Sequence, residues 1–517
     1  MQESSTDELL DAAIRHQSAG DLAAAQSIYR QILQRDPNDA DAMQLLGVVL
    51  AQTGRGEEGL QFARRAVELN PQAADAHASL GEVYQSLGQH PQAAEELQLA
   101  VKLNPDFAQA WCNLGRAQYA LDRWDESAAA FRRALQIQPQ YPDALFSLGN
   151  TLRAQGHLKD AIDHYQKCIA IAPHNAHVHY NMATALESDR RPLEALEAYR
   201  RAIDGNFQIA HAKYGMLLLA LGRWSEGWPE LEWVNWHEKE ITGKDRFPQP
   251  LWDGSPAPGK TLLLYESWGG MGDTLQFARF VPQISNMGMQ VILQCQEPLV
   301  NLLAHSLAPA RVVDQDKTPP AFDLCLPLES LPHRLGVTLE NLTPSVPYLT
   351  VPPDRIAKWA HRVPADNLLN VGLVWAGSES SRRTNSIDLF APLAPIPGIR
   401  FVSLQKGPAA KQKTPPGMNL LDLTQDLGDF ADTAALIQQL DLVIGVDTSV
   451  PHLAAALAKP TWILIPDASD CRWMLDRDDS PWYPTVRLFR QEKLNDWISP
   501  ISKLAQALAD ELKRQST

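Results

Sequence analysis

At 517 residues the chain is too long for one hydrophobic core, and two to four domains are expected. Hydrophobic residues make up 45% and charged residues 21%, the balance of an ordinary globular protein. A formal net charge of −15 excludes nucleic acid as the main partner, because a phosphate backbone demands clustered Lys and Arg, but it leaves room for a local basic pocket holding one nucleotide.

The first residues, MQESSTDELL, are acidic and polar and predict no signal peptide. No uncharged apolar run approaches the length of about 18 residues needed to span a bilayer, so no membrane span and a cytoplasmic location are expected. The five cysteines, Cys112, Cys168, Cys295, Cys325 and Cys471, form no C-x-x-C pair and no His-bearing metal cluster. They read as buried thiols in a reducing compartment.

A period of 34 residues then governs the first half. Pro37, Pro71, Pro105, Pro139 and Pro173 follow it, as do Gly47, Gly81, Gly115 and Gly149. So do Ala66, Ala100 and Ala134, continued by Cys168 and Ala202. Each proline closes a helix that it cannot continue. The small residues let two helices approach, and Leu46, Leu80, Leu114 and Leu148 fill the seam beside the glycines. Phe131, Tyr165 and Tyr199 occupy one slot on the second helix of their units. The pattern resembles the tetratricopeptide repeat (TPR) family. Repeats are placed at 6–39, 40–73, 74–107, 108–141, 142–175 and 176–207. A degenerate seventh covers 208–236, with Gly215 and Gly222 in register after a two-residue deletion.

Such solenoids present a concave face to a peptide or protein segment. Asn113 and Asn181 hold the sixth repeat position, with Ser79 and Ser147 in the same register. The resemblance turns that position toward the groove, where amides can grip an extended acceptor backbone. The competing role is a solvated helix surface. Repeat solenoids also self-associate, so a homo-oligomer stays open.

Residues 223–268 hold Trp224, Trp228, Trp233, Trp236, Trp252 and Trp268, six of the 14 tryptophans. So many large apolar rings predict a packed junction, not a flexible tether. The Pro/Gly-rich FPQPLWDGSPAPGK (247–260) marks its end.

From 260 short apolar runs alternate with helical stretches: TLLLY (261–265), VILQC (291–295), ARVVD (310–314), FDLCL (322–326), NVGLVWA (370–376), RFVSL (400–404), LVIGVD (442–447), TWILI (461–465) and VRLF (486–489). This is a parallel-sheet signature, and two strand-first units at 261 and 370 suggest two Rossmann-like lobes. The fold class read from the sequence is therefore an all-α TPR solenoid followed by an α/β domain. The expected boundaries are 1–236 for the superhelix, 237–259 for a packed linker, 260–365 for the first lobe and 366–517 for the second.

Sites in such folds lie where strands end. The loop YESWGGMGDTLQFARF (265–280) carries Gly269, Gly270 and Gly272 between a strand and a helix, and Asp273 at the helix start. Glycines there permit a tight turn and a close backbone approach. Asp273 is either a helix N-cap or a carboxylate facing the crevice. In LVIGVDTSVPHLAAALAKP (442–460) a strand ends at Asp447, and Thr448, Ser449 and Val450 open a helix whose free N–H groups can hold a phosphate. His452 lies in its first turn, as a phosphate neighbour or as a structural hydrogen-bonding group. Gln405 and Lys406 emerge at the strand end in VSLQKGP (402–408), where a lysine can neutralise a diphosphate. Arg382 and Arg383 sit in the polar loop of WAGSESSRRTNSI (375–387).

Together the glycine loop, GVDTSVPHLAAALAKP and DCRWMLDRDDSPWYPTVRLFRQ (470–491) resemble the two-lobed GT-B glycosyltransferases, in particular lipopolysaccharide heptosyltransferases and bacterial TPR–glycosyltransferase fusions that modify proteins such as flagellin. The resemblance spans 260–517. It implies an inverting transfer with Asp273 as catalytic base. It implies a nucleotide-sugar donor held by Gly270, Gly272, Gln405, Lys406, Arg383, Asp447, Thr448, Ser449, Val450 and His452. It implies no metal, so Asp476, Asp478 and Asp479 read as a solvated acidic turn. One departure stands out: the loop at 375–387 is shorter than in the fusions, and Asn385-Ser386 replaces an expected Arg-Ser, with Arg383 two residues earlier.

The implied function is transfer of a sugar to Ser or Thr of a protein held by the repeats. Alternatives are a glycolipid or polysaccharide acceptor, against which the lack of a basic amphipathic helix speaks, and a non-catalytic scaffold whose transferase-like domain is vestigial.

Overall fold

The computed structural model describes residues 5–242, 246–343, 345–377, 386–467, 470–493 and 496–515, with backbone alone for 234–242 and 515. The chain divides into two compact units, Met1–Ala210 and His211–Thr517.

The first unit is six helix hairpins: α1 (Thr6–Ser18) with α2 (Leu22–Arg35), α3 (Ala40–Gln52) with α4 (Gly56–Leu69), α5 (Ala74–Ser86) with α6 (His90–Leu103), α7 (Ala108–Ala120) with α8 (Trp124–Ile137), α9 (Pro142–Ala154) with α10 (Leu158–Ile171), and α11 (Ala176–Ser188) with α12 (Pro192–Asp204). The second helix of each of the first five hairpins stops two residues before its proline. The seam is filled as the 34-residue pattern requires. A Cβ on Gly59 would overlap the carbonyl oxygen of Gly47, and one on Gly115 would lie 2.8 Å from the Phe131 ring. The backbone between the helices of each pair turns through the left-handed region at Gly20, Gly54, Gly88, Asp122, Gly156 and Arg190 (φ 57 to 82°), again every 34 residues. Asp122 and Arg190 hold a conformation that favours glycine, at a cost of about 1–2 kcal/mol for an L-residue.

The degenerate seventh hairpin is α13 (Ala210–Ala220) with α14 (Trp224–Thr242), and all of it beyond Ala210 groups with the second unit. The tryptophans account for this. Trp224 stacks on Trp482 with centroids 5.0 Å apart, and Trp228 meets the same ring edge-on while its Nε1 donates to the Val337 carbonyl at 3.0 Å. Trp252 is buried, and Trp233 stacks on His211 at 4.1 Å. Trp268 is 42% exposed but meets Phe277 edge-on with centroids 6.4 Å apart, and the side chain of Trp236 lies outside the described residues.

The rest of the second unit holds two parallel sheets. In the first, β1 (Thr261–Tyr265), β2 (Gln290–Cys295), β3 (Arg311–Asp314) and β4 (Leu324–Pro327) run in the order β3-β2-β1-β4. In the second, β5 (Leu369–Val374), β6 (Ile399–Ser403), β7 (Leu420–Asp422), β8 (Leu442–Val446), β9 (Thr461–Ile465) and β10 (Val486–Arg490) run in the order β10-β9-β8-β5-β6-β7. Their near-continuous apolar runs are those of strands covered on both faces. Only β7, three residues at a sheet edge, was too short to announce itself in the sequence. Around the sheets lie α15 (Met271–Phe277), α16 (Val281–Asn286), α17 (Val300–Ser306), α18 (Leu331–Arg334), α19 (Pro353–Trp359), α20 (Phe430–Gln438), α21 (Ser449–Ala456) and α22 (Ile498–Gln515). Among the described residues no helix is long and apolar enough to cross a membrane.

Candidate active site

Strands β1, β5, β6 and β8 end on a common cleft of about 570 Å³. Its walls include Gly269, Gly270, Gly272 and Asp273 from the glycine loop and α15, Gln405 and Lys406 after β6, and Asp447, Thr448, Ser449, Val450 and His452 at the β8–α21 turn. Helices α15 and α21, one from each sheet's set, pack against each other. A Cβ on Gly272 would stand 3.1 Å from His452 Cδ2, so glycine is what lets the two helix starts meet.

The glycine loop is held from beneath. Gly269 turns at φ 87°, and Gly270, not Asp273, is the N-cap of α15. The Asp273 carboxylate folds back over Gly270, where any Cβ would overlap it, and pairs with the guanidinium of Arg472. Two buried carboxylates collect the loop's donors. Glu266 accepts the Gly269 N–H. Glu329 accepts the Ser267 N–H (3.2 Å), the Ser267 hydroxyl (3.0 Å) and the Trp268 N–H (3.4 Å). Burial, together with the charge of Glu266, outweighs those donors and pushes Glu329 up to about 7.

The β8–α21 turn offers free donors. Thr448 is the N-cap residue of α21, but its hydroxyl makes no capping bond and is buried without a partner. Helix N–H groups, a free hydroxyl and the positive end of the helix dipole suit an anion. His452 is 2% exposed; its Nδ1 lies 3.0 Å from the Tyr483 hydroxyl and its Nε2 3.7 Å from Asp447 Oδ1. Burial lowers its pKa despite Asp447, so the imidazole is neutral at pH 7. A strut ties the two helices together, at the far end of α21 from the turn. Tyr348 donates from its hydroxyl to the Leu275 carbonyl (2.9 Å) and from its N–H to that of Ala456 (3.2 Å), while Arg279 lies over the Tyr348 and Tyr483 rings.

Three sequence expectations need revision. Gln405 lines the cleft, yet it is 5% exposed; its Oε1 accepts the N–H groups of Trp375 (3.0 Å) and Ala376 (2.8 Å) and its Nε2 donates to the Lys406 carbonyl. It shapes the loop after β5 with its Oε1 committed to those two N–H groups, and only the second N–H of its Nε2 is left to meet a diphosphate. Asn113 is buried and its side-chain oxygen accepts from Arg116, which takes it out of reach of a groove ligand. Asn181 is half-buried, and its amide donates back to the His177 carbonyl at 2.9 Å. Lys406 is exposed at the rim and donates to the Leu427 carbonyl. Arg382, Arg383 and Asn385 lie outside the described residues.

Residues 414–475, which include the β8–α21 turn and Arg472, match the model of glycosyltransferase family 9 (heptosyltransferase). Tetratricopeptide repeat models match 17–83, 79–142 and 142–175. The chain thus carries tetratricopeptide repeats and, over 414–475, a segment similar to glycosyltransferase family 9. The repeat models fall within the first unit and the family 9 match within the second. Protein FlbA of Caulobacter vibrioides is 28% identical over 335 residues, covering 57% of this chain and 54% of that protein; the chain thus spans about half the length of this curated relative. Among solved structures, a thermophilic TPR protein of Thermus thermophilus is 22% identical, covering 35% of this chain and 99% of its own, with a TM-score of 0.33. PilF of Pseudomonas aeruginosa is 24% identical, covering 40% and 93%, with a TM-score of 0.35.

Sequence reasoning missed Arg472, Glu266, Glu329 and Tyr483. Apart from Glu266, which accepts from Gly269 three residues on, they act in pairings across many residues, 199 between Asp273 and Arg472 and 62 between Ser267 and Glu329. The single local hint was the arginine inside DCRW (470–473).

Proposed function

We propose that the second unit is an inverting glycosyltransferase that moves a sugar from a nucleotide-sugar to a Ser or Thr hydroxyl of a protein presented by the repeats. The observation that carries this is the single cleft in which Asp273, Lys406 and the start of α21 face one space. Thr448, Ser449 and Val450 would hold the donor's diphosphate through helix N–H groups and the unpartnered Thr448 hydroxyl, with Lys406 adding a charge from the rim. Asp447 would accept from donor hydroxyls, and neutral His452 would anchor the turn beside it. Asp273 would take the acceptor's proton as its oxygen attacks the anomeric carbon. The bond to phosphate breaks from the opposite face, and its electron pair leaves on the nucleoside diphosphate. The developing negative charge falls on helix N–H groups and basic side chains already in place.

The matched family supports the transferase chemistry, and the repeats support a protein acceptor; flagellin is one acceptor to try. Incubating the chain with UDP-, GDP-, ADP-, CMP- and dTDP-sugars, with and without candidate acceptor proteins, should yield free nucleotide with one donor class. It should also add one sugar mass on a Ser or Thr peptide. Release of nucleotide with sugar only on lipid or glycan would refute the protein acceptor, and no turnover or binding of any donor would refute the enzyme.

A further inference from the structure

Arg472 is the cation nearest the proposed base, and the mechanism above leaves it unused. It lies in the loop that follows β9, with its side chain 11% exposed. Its Nη2 pairs with Asp273 and also donates to Asp470 Oδ2 at 3.0 Å. Its Nη1 donates to Gln276 Oε1 at 2.8 Å, and its Nε lies 2.9 Å from Asp470 Oδ1 without the angle of a hydrogen bond. Asp273 and Gln276 are one helical turn apart on α15, so a single guanidinium clamps that helix to the loop after β9. The same guanidinium lines the cleft beside Asp447 and the α21 turn.

The charges make this placement consequential. Among the described residues the cleft is lined by the carboxylates of Asp273, Asp429 and Asp447 and by two cations, Lys406 and Arg472. Departure of a nucleoside diphosphate adds negative charge to a space already rich in it. Before transfer, Asp273 and Asp470 occupy the charge of Arg472. Once Asp273 carries the acceptor's proton it is neutral, and half of that pairing is gone.

We propose that Arg472 is a charge-balancing positioning residue: it holds Asp273 ionised and aimed into the cleft before transfer, and its charge passes to the nucleoside diphosphate once Asp273 is protonated. This rests on the transferase reading. Arg472 keeps its own protons throughout; what moves is its partner. Asp470, which stays ionised, keeps the guanidinium in the wall, and Gln276 fixes its plane. A fork-shaped, permanently charged group suits this exchange between a carboxylate and a phosphate.

The test is a binding cycle with UDP, GDP, ADP, CDP and dTDP, read by calorimetry on the full chain. Asp273→Asn imitates the protonated base and should tighten the preferred diphosphate by roughly 5–20-fold, the size of coupling between neighbouring groups. Adding Arg472→Gln should remove that gain. No gain in Asp273→Asn, or an equal gain with Arg472→Gln present, overturns the proposal, because simple loss of a negative charge would act in both backgrounds. Should Arg472→Gln fail to fold, the proton count carries the point. Wild type should take up a proton on binding the diphosphate, measured in buffers of different ionisation enthalpy, and Asp273→Asn should take up less. His452, Asp447, Asp470 and Cys471 face the same pair, and His452 and Cys471 feel the charge of Asp273, so the comparison is repeated in a His452→Gln background, which removes the imidazole from the count. Equal uptake overturns the proposal. A wild type that binds none of the five removes the transferase reading itself; binding without the Asp273→Asn effect removes only the role of Arg472.

Discussion

The two units solve opposite problems. In the repeats, one packing arrangement recurs at each 34-residue step, and the partners are near in sequence: Gly47 with Gly59, Gly115 with Phe131. In the second unit several side chains around the cleft have a particular partner that is far away, such as Arg472 for Asp273 or Glu329 for Ser267. A repeated local contact tolerates irregular members, as Asp122 and Arg190 show in the left-handed turns. A site of single long-range pairings has no spare copy. Damage should therefore be graded in the first unit and sharp in the second.

The largest expected effect tests the sharp side. Asp273→Asn should lower turnover by roughly 10²–10⁴-fold, the span of general-base contributions, with donor binding kept. Unchanged turnover would remove Asp273 as base. In the repeats, Gly59→Ala forces a Cβ onto the Gly47 carbonyl and should cost about 1–3 kcal/mol. Circular dichroism melts would show it, while affinity for a nucleoside diphosphate should not move; a parallel loss of affinity would break the division of labour drawn here.

Next comes a pH effect under the glycine loop. Folded Glu329 holds its proton up to about 7, whereas the unfolded chain releases it near 4.5, so this residue's contribution to stability falls as pH climbs through that window. Glu329→Gln cannot ionise. Its melting temperature relative to wild type should therefore rise by roughly 2–4 °C between about pH 5 and about pH 8. A flat difference would place the proton elsewhere. The smallest change is Asp122→Gly, which relieves a left-handed aspartate but loosens the unfolded chain, for a net gain of about 0.5 kcal/mol. A loss there would mean that Asp122 contributes contacts beyond its turn.

This contrast also explains what could be read in advance. Proline, glycine and alanine at fixed intervals reveal helix pairs because short-range sterics alone dictate them. Apolar runs such as TLLLY and LVIGV reveal buried parallel strands for the same reason. The glycine loop and the β8–α21 turn were legible because glycine and helix-start residues mark where backbone approaches a ligand. Arg472 and Glu329 were not, since a lone arginine or glutamate acquires meaning only from what folding sets beside it. Gln405 and Asn113 were read only in part for the converse reason: neighbouring donors had already claimed their amide oxygens.

The span between Asp273 and Arg472 has a consequence for synthesis. A nascent chain has its glycine loop made long before the loop after β9 exists, so Asp273 waits without its cation until nearly the whole second unit has left the ribosome. Assembly of this cleft is therefore tied to completion of the chain: a product cut short before Arg472 would carry the aspartate but not the cation that pairs with it.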